Sequence, residues 1–207
     1  MPAMTLFADQ VACVRSDHLV FEDISFDLSP GAALWVRGRN GAGKSSLLRI
    51  CARLLRPAAG RLLWSGQEIG GNEDTYQGQY HYLGHQDPLK SVLTVKENLN
   101  FWANFHGTAD VARAIADFEL EPLQETPMGL LSAGQKKRVN LARLTASPLP
   151  LWILDEPLSA LDQHYIQLFK SKLEQHLLGG GMALFATHQD LELAGATVLD
   201  LDKETAA

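Results

Sequence analysis

A glycine-rich segment at residues 38–45, with the sequence G-R-N-G-A-G-K-S, constrains the fold of this chain more than any other stretch. It follows the apolar run 33–36, which predicts a buried strand, and it precedes residues 47–51, which predict a helix. A strand, a glycine-rich turn and a helix in this order are the setting in which G-x-x-x-x-G-K-[ST] binds phosphate. Glycines let successive backbone N–H groups point into one concavity, and the helix N-terminus adds a partial positive charge there. The segment therefore predicts a site for a nucleoside triphosphate.

Two side chains of this segment carry the expected chemistry. The ammonium of Lys44 supplies a full positive charge for the β- and γ-phosphates of a nucleotide, and the hydroxyl of Ser45 is a ligand for Mg²⁺. The alternative is a glycine-rich turn in an unrelated α/β protein, which the flanking strand and helix disfavour. The candidate phosphate-binding residues are Gly38, Arg39, Asn40, Gly41, Ala42, Gly43, Lys44 and Ser45.

Length and composition narrow the class of protein. The 207 residues suffice for one domain with a substantial core, but not for two domains of ordinary size. A formal net charge of -6 without a long basic run argues against a nucleic-acid partner. Cys13 and Cys51 lack the spacing of metal ligands. Because no apolar run approaches the roughly 20 residues that span a bilayer, we expect no membrane span and only a peripheral membrane role.

Hydrophobic periodicity predicts one α/β domain. Partial alternation over residues 4–14 and 20–28 predicts antiparallel strands with one wetted face. Continuous apolar runs at 151–154 and 182–187 predict strands that are buried on both faces of a parallel sheet. Helical spacing from Thr94 to roughly Gly129 predicts a helical region inserted between two parts of the α/β core.

The remaining elements follow from local signals. Ser132 is a candidate N-cap for a helix, and the three residues at 136–138, two lysines and an arginine, are interpreted by default as its solvated face. Residues 165–178 predict another helix, which a glycine triplet ends. The residues after 188 predict a short helix, a strand at 197–199 and a polar tail.

Four polar residues follow predicted strands. Asp155 and Glu156 come at the end of one buried strand, and Gln86 and His188 each end another. Ligands of parallel α/β sheets bind at the carboxyl ends of the strands, so these side chains should converge there. A carboxylate at Asp155 suits Mg²⁺, and Glu156 can orient and deprotonate a water that attacks the γ-phosphate. Gln86 and His188 are expected to contact Mg²⁺, water or the γ-phosphate.

Six segments occur in the order found in ABC-type ATPase domains, and the chain resembles this family over nearly its whole length. The segments are 38–45, Gln86, 131–135, 151–156, 159–162 and His188. The resemblance implies a P-loop NTPase fold over residues 1–207, with a RecA-like parallel sheet core and an N-terminal antiparallel β subdomain. It also implies a helical subdomain inserted at approximately 87–145.

The same resemblance implies a dimer in which two domains sandwich two ATP molecules with Mg²⁺. Ser132, Gly134 and Gln135 would act across the dimer, with Asp162 near the same interface. Within one subunit the implied catalytic residues are Glu156, His188, Gln86 and Lys44. The implied metal ligands are Ser45, Gln86 and Asp155.

The sequence departs from the family pattern at two positions. Ala133 replaces the usual glycine of the loop at 131–135, a change that should be tolerated but could slow dimer closure. Arg15 stands where the family stacks an aromatic ring on adenine. A guanidinium also stacks on a base, so Arg15 remains a candidate adenine contact, with base selectivity left open.

Further segments, 82–86, 97–102 and 151–157, resemble the ATP-binding subunits of bacterial haem exporters that serve cytochrome c maturation. That resemblance implies integral-membrane partner subunits, a second ATPase subunit in a homodimer, and a peripheral location on the cytoplasmic face of the inner membrane. Residues 87–105 lie where ABC domains receive a helix of the membrane subunit, so part of this apolar stripe is expected to line a partner groove, with Gln86 linking it to the γ-phosphate. The seven histidines are scattered along the sequence, and none is assigned as a haem ligand.

Three other functions remain as alternatives. The chain could serve another ABC transporter, or it could be a soluble ABC ATPase that acts on DNA or ribosomes. Known members of the soluble class have a long coiled coil or two fused ATPase domains, and neither feature is present in these 207 residues. A small-molecule kinase would share the phosphate loop but would leave residues 131–135 and His188 unexplained.

Overall fold

The computed structural model describes residues 4–70, 75–84, 88–107 and 110–204. Its strands are β1 Leu6–Arg15, β2 His18–Leu28, β3 Ala33–Arg37, β4 Ala59–Trp64, β5 Gln67–Glu68, β6 Tyr80–Leu83, β7 Leu151–Asp155, β8 Met182–Ala186 and β9 Thr197–Asp200. Its α-helices are α1 Lys44–Cys51, α2 Val95–Phe105, α3 Val111–Asp117, α4 Ala133–Ala146, α5 Gln163–Leu178 and α6 Leu201–Glu204. None of these helices is long and apolar enough to cross a bilayer.

The strands form two sheets. The antiparallel sheet has the order β2-β1-β4-β5, and the parallel sheet has the order β6-β7-β8-β3-β9. Leu6 pairs with Leu28 at one end of β1 and β2, and Arg15 pairs with His18 at the other, so the predicted antiparallel strands are confirmed. The predicted parallel strands are confirmed as well, because β8 pairs in parallel with both β3 and β7.

The parallel sheet is covered on both faces. Leu34 and Val36 belong to a core cluster shared with α1 and the antiparallel sheet, whereas Trp35 belongs to a cluster shared with α2, α3, α4 and α5. Successive side chains of a strand point to opposite faces, so one short strand contributes to both clusters. Every residue of β7 and β8 is buried, which explains their continuous apolar sequence.

Helices α2, α3 and α4 lie between β6 and β7 in the chain, in the region predicted to be helical. Between α3, which ends at Asp117, and α4 there are only short 3-10 helices at Glu121–Leu123 and Met128–Leu130, where Pro122 and Pro127 predict a loop. Pro122 and Pro127 account for this interruption, because proline cannot continue an α-helix in its interior.

The prediction of a helix directly after His188 is wrong. Residues 189–196 are described and contain no helix, and α6 instead follows β9. The carboxylate of Asp190 accepts a hydrogen bond from the backbone N–H of Glu192 at 2.7 Å. Such local side-chain bonds compete with helix formation, and Gly195 at φ 78 adds a turn.

The interpretation of residues 136–138 as a solvated face is wrong at two of its three positions. Lys137 and Arg138 are only 7% and 8% exposed. Arg138 donates to the Phe118 carbonyl and to the Tyr165 hydroxyl, and the ammonium of Lys137 donates to the Glu156 carbonyl. Most of α4 is enclosed, so these side chains bury their apolar stems and satisfy their charged ends with buried acceptors.

Candidate nucleotide site

The phosphate loop connects β3 to α1, and glycine is required at its last position. Gly43 is the N-cap of α1 and has φ 98. A Cβ atom on Gly43 would lie 2.6 Å from Val20 Cγ1 and 2.7 Å from Phe21 Cδ1. Only glycine combines this left-handed conformation with so close an approach to β2. The loop is therefore packed tightly against the antiparallel sheet.

Lys44 closes the loop on itself. Its Nζ donates to the carbonyl of Gly38 at 2.7 Å and to that of Arg39 at 3.1 Å, and the residue is only 9% exposed. These bonds hold the ammonium inside the concavity that the loop encloses. A cation held beside backbone N–H groups at a helix N-terminus forms an anion site.

The outer side of the loop contacts the end of the chain. The backbone N–H of Arg39 donates to Asp202 Oδ2 at 2.7 Å, and Arg39 Nε lies 3.5 Å from Asp202 Oδ1. The Arg39 side chain is 86% exposed. Its N–H is therefore already bonded, although Arg39 was among the candidate phosphate ligands. Asp202 was missed because it lies in a stretch that the sequence marks only as a polar tail.

Ser45 and Asp155 form the candidate metal-binding end of the site. Ser45 Oγ donates to Asp155 Oδ1 at 3.1 Å, and Asp155 is 2% exposed. Asp155 Oδ2 is buried and has no hydrogen-bond partner among the described residues. A buried carboxylate oxygen without a partner is costly, and a hard cation with oxygen ligands would satisfy it. This pair therefore fits Mg²⁺.

In the described part of the chain, no group of three or more His, Cys, Asp or Glu side chains is arranged to hold a metal ion. Mg²⁺ is commonly bound by one or two carboxylates together with waters and substrate phosphates. The donor set at Ser45 and Asp155 matches that mode. Gln86, the third predicted ligand, lies outside the described residues.

Glu156 directly follows β7 in an unusual backbone conformation, with φ 50. Its N–H donates to the Ala186 carbonyl at 2.9 Å, and its own carbonyl accepts from Lys137 Nζ and from Ser159 Oγ. His188 Nε2 lies 3.6 Å from Glu156 Oε1. The structure thus brings these two strand-end side chains together, as the sequence predicts.

These groups share one cavity of about 500 Å³, a volume typical of ligand sites. It is lined by Arg15, Ser16, Val20, Asn40, Gly41, Gly43, Lys44, Ser45, Ser46, Asp155, Glu156 and His188. Gly38, Arg39 and Ala42 do not line it. Ser16, Val20 and Ser46 are lining residues that the sequence reasoning missed. Ser46 could have been found from its place beside Ser45, whereas Val20 carries no motif.

The residues expected to act across a dimer lie elsewhere. Ser132 is the N-cap of α4: its Oγ accepts from the N–H of Gln135 at 3.3 Å, and Gln135 Oε1 accepts from the N–H of Ser132 at 2.8 Å. The predicted N-cap is thereby confirmed. A Cβ on Gly134 would lie 2.8 Å from the Ala160 carbonyl, so this helix end abuts the loop before α5, whose N-cap is Asp162. None of Ser132, Gly134, Gln135 and Asp162 lines the cavity.

Comparison with known proteins agrees with this geometry. The family model described as ABC transporter matches residues 21–159. A protein of Rhodospirillum rubrum named cytochrome c biogenesis ATP-binding export protein CcmA is 50% identical over 203 residues, 97% of this chain and 87% of its own length. A protein of the same name from Paramagnetospirillum magneticum is 46% identical, over 98% of this chain and 96% of its own.

Solved structures show the same fold. A putative ABC transporter ATP-binding protein from Pyrococcus furiosus superimposes with a TM-score of 0.85 over 97% of this chain and 99% of its own, at 22% identity. A bacterial Atm1-family ABC exporter with ATP bound gives a TM-score of 0.83 at 25% identity, over 98% of this chain and 37% of that one. The predicted α/β fold of an ABC-type nucleotide-binding domain is confirmed. The chain belongs to the ABC transporter ATP-binding family of ATPases and, within that family, to the CcmA-type proteins.

Proposed function

We propose that this chain is the ATP-hydrolysing subunit of a membrane complex, and that two copies close head to tail around two ATP molecules with Mg²⁺. One observation carries the proposal. The cavity of each copy contains the phosphate loop, Asp155 and the Glu156–His188 pair, whereas Ser132 and Asp162 are exposed outside it. A second copy would bring those exposed residues to the nucleotide.

Within one copy, different residues of the cavity would bind the triphosphate, the Mg²⁺ ion and the base of the nucleotide. The N–H groups of the loop residues that line the cavity, Asn40, Gly41 and residues 43–45, and the ammonium of Lys44 would bind the triphosphate. Ser45 and Asp155, joined by Gln86, would hold Mg²⁺. The ion would neutralise charge that develops on the phosphates. Arg15 lines the same cavity and can stack on the base.

Glu156 is the proposed general base for hydrolysis. It would accept a proton from the water that attacks the γ-phosphate, and ADP would leave with the β-phosphate oxygen. His188, at 3.6 Å from Glu156 Oε1, would orient the water and the γ-phosphate. Lys44 would offset charge on the transferred group throughout this step.

The N-terminus of α4 is the proposed contact with the γ-phosphate of the other copy. This helix has 14 residues, and its first turn presents backbone N–H groups and a positive dipole end to solvent. Ser132 and Gln135 bond each other in the isolated chain, so they are already ordered. The methyl group of Ala133 is exposed at the same end.

A groove on another face is the proposed contact for an integral-membrane subunit. It encloses about 890 Å³ and is lined by aromatic side chains, among them Tyr80, Trp102 and Phe105. Leu54 and Phe105 are 62% and 73% exposed. Of the apolar side chains predicted for this groove, Trp102 lines it, whereas Leu89, Val92, Leu93 and Phe101 do not. Aromatic and aliphatic anchors of this kind suit an apolar helix.

The names of the relatives indicate the cellular process that ATP hydrolysis by this chain would serve. They describe export proteins of cytochrome c biogenesis, from which we infer haem export or release of a haem-loaded chaperone as the step that ATP drives here. The chain would then lie at the cytoplasmic face of the inner membrane. A formal net charge of -6 disfavours a nucleic-acid substrate. A role in another ABC transporter is the alternative.

The Glu156→Gln variant tests the central claim. It keeps the shape of the side chain but removes its basicity, so ATP should bind without being hydrolysed and the closed dimer should accumulate. Size-exclusion chromatography with ATP and Mg²⁺ should show a dimer for this variant and a monomer for a Lys44→Ala control. A Glu156→Gln variant that stays monomeric at saturating ATP would refute the head-to-tail arrangement.

A further inference from the structure

One buried charge has no part in the mechanism proposed so far. Lys137 lies five positions after Ser132, in the first half of α4, and is 7% exposed. Its Nζ donates to the carbonyl oxygen of Glu156 at 2.8 Å, across 19 residues of sequence. Burying an ammonium is unfavourable unless good acceptors receive it, so this contact is a specific feature of the site.

The residue that Lys137 contacts is held in a conformation that needs support. Glu156 has φ 50, a left-handed conformation that a side chain with a Cβ rarely adopts. Its N–H is bonded to the Ala186 carbonyl on β8. Its carbonyl accepts from Lys137 on α4 and, at 3.1 Å, from Ser159 Oγ in the following turn. Such conformations persist only when the surroundings over-determine them.

We propose that Lys137 is a positioning residue for ATP hydrolysis, which fixes the backbone of Glu156 and thereby aims its carboxylate at the attacking water. The proposal rests on the proposed role of Glu156 as general base. The bond from an ammonium to a carbonyl is charge-assisted and is therefore stronger than the neutral bond from Ser159. Without it, only the hydroxyl and the backbone N–H of Ser159 would hold this carbonyl, and the direction of the Glu156 carboxylate would be less firmly fixed.

The position of Lys137 on α4 gives this contact a second consequence. The same helix begins at Ser132, which faces the nucleotide of the other copy in the proposed dimer. Any shift of α4 on closure would therefore reach the Glu156 backbone of its own copy through Lys137. One rigid helix would then connect the two nucleotide sites.

The test compares the turnover of ATP by three variants of the full chain in the presence of Mg²⁺. Lys137→Met has a similar length but no donor, Lys137→Gln restores a donor, and Lys136→Met removes the same charge one position away. Since small misplacements of a catalytic group are costly, kcat of Lys137→Met should fall about 10- to 100-fold with KM for ATP nearly unchanged. Lys137→Gln should recover part of the loss, and Lys136→Met should behave as the wild type.

A merely structural lysine would give a different pattern. The proposal requires that Lys137→Met leave the ATP-dependent dimer of the Glu156→Gln chain intact, because the change would act on the hydrolysis step and not on ATP binding. Loss of that dimer, or a KM that rises with kcat unchanged, would overturn it. If Lys137→Met does not fold, Ser159→Ala removes the other side-chain donor to the same carbonyl and should lower kcat by a smaller factor; an unchanged kcat would then overturn it.

The two proposals fail separately. If Glu156→Gln turns over ATP at the wild-type rate, the role of Glu156 as base is wrong and the positioning role falls with it. If Glu156→Gln is inactive while Lys137→Met and Ser159→Ala keep wild-type kcat, only the inference about Lys137 is wrong.

Discussion

The two carboxylate oxygens of Asp155 have different environments, although both belong to a residue that is 2% exposed. Oδ1 accepts a hydrogen bond from Ser45, and Oδ2 has no partner among the described residues. In a ligand-free chain this unpaired oxygen opposes folding, and a bound cation would remove the penalty. Asp155 therefore lowers the stability of the ligand-free protein, and the same unpaired oxygen increases its affinity for a metal–nucleotide complex.

Asp155→Asn should separate these two effects. The asparagine oxygen can still accept from Ser45 but the residue has no charge to desolvate, so the free energy of unfolding of the ligand-free chain should not fall. The substitution should also remove most of the extra stabilisation that Mg²⁺ adds to ATP, which for a wild-type site at 100 times its dissociation constant is about 2.7 kcal/mol. Thermal unfolding with ATP alone and with ATP plus Mg²⁺ measures both quantities.

The exposed Asp27 on β2 offers a matched control. Asp27→Asn removes the same charge and should change neither the stability of the free chain by more than about 0.5 kcal/mol nor its response to Mg²⁺. Retention of the full Mg²⁺-dependent shift in Asp155→Asn would show that the ion does not bind at this carboxylate.

The residues of the nucleotide site differ in how well their roles and contacts could be predicted from the sequence. The chemistry of Lys44, Ser45 and Asp155 could be predicted because each lies at a fixed offset from a glycine-rich turn or a strand end. The contact of Lys137 with Glu156 and that of Asp202 with Arg39 could not, since they join residues 19 and 163 positions apart. No local pattern encodes which carbonyl or N–H a distant charge will reach.

Among the elements, α2 and α4 begin in the same way. Each has a full capping box, formed by Thr94 and Glu97 on α2 and by Ser132 and Gln135 on α4. Both boxes satisfy backbone N–H groups that the first turn of a helix otherwise leaves unpaired. Only the box of α4 also lies at the face proposed to meet the second nucleotide. Comparing the two capping boxes therefore separates the contribution of Ser132 to helix stability from its proposed role at the second nucleotide.

Ser132→Ala and Thr94→Ala should destabilise the chain to a similar degree, about 1 kcal/mol each, because each removes one N-cap hydrogen bond. Only Ser132→Ala should weaken the ATP-dependent dimer of the Glu156→Gln chain. Urea unfolding measures the first effect, and sedimentation at a series of protein concentrations measures the second. Equal dimer affinities for the two variants would contradict a role of Ser132 at the partner's nucleotide.

Helices and strands could be predicted from the sequence where a single hydrophobic pattern extends over the whole element. The buried strands β7 and β8 are continuous apolar runs, and the structure places them where the sequence does. Ser132 carries the standard sequence signal for a helix start. Prediction failed at residues 189–196, where one Asx-type bond and a glycine turn outweigh a weak helical pattern. It also failed at Lys137 and Arg138, because tertiary packing on every side of α4 decides their burial.

At the scale of the whole molecule, His81 and His106 are far apart in the sequence but both line the proposed partner groove, and His176 lies near His81. The rings of His81 and His106 are 5.0 Å apart, and His176 stacks on Trp152 at 4.0 Å. Burial lowers the pKa of His81 to about 3 and that of His176 to about 4. Both are therefore neutral at neutral pH, and the positive charge along the groove comes from arginines such as Arg49 and Arg143.

This combination of apolar walls and fixed arginine charge favours a partner segment that is apolar with an acidic or carbonyl-rich end. Leu54 and Phe105 line the groove and are the side chains that a docked helix would cover. A buried glutamate at either position would lose its hydration without a designed partner, which is costly in a desolvated interface. The docking of a membrane subunit should therefore be more sensitive to these two positions than to exposed apolar residues elsewhere.

Leu54→Glu and Phe105→Glu should each prevent stable co-purification with co-expressed integral-membrane subunits, a loss of affinity of about 10-fold or more for an interface anchor. Leu178→Glu is the matched control: Leu178 is 89% exposed at the end of α5 and does not line the groove. All three variants should bind ATP as the wild type does, because none of the three residues lines the nucleotide cavity. Groove variants that still co-purify in full would place the membrane contact on another face, whereas a loss of ATP binding would mean that the substitution disturbs the fold.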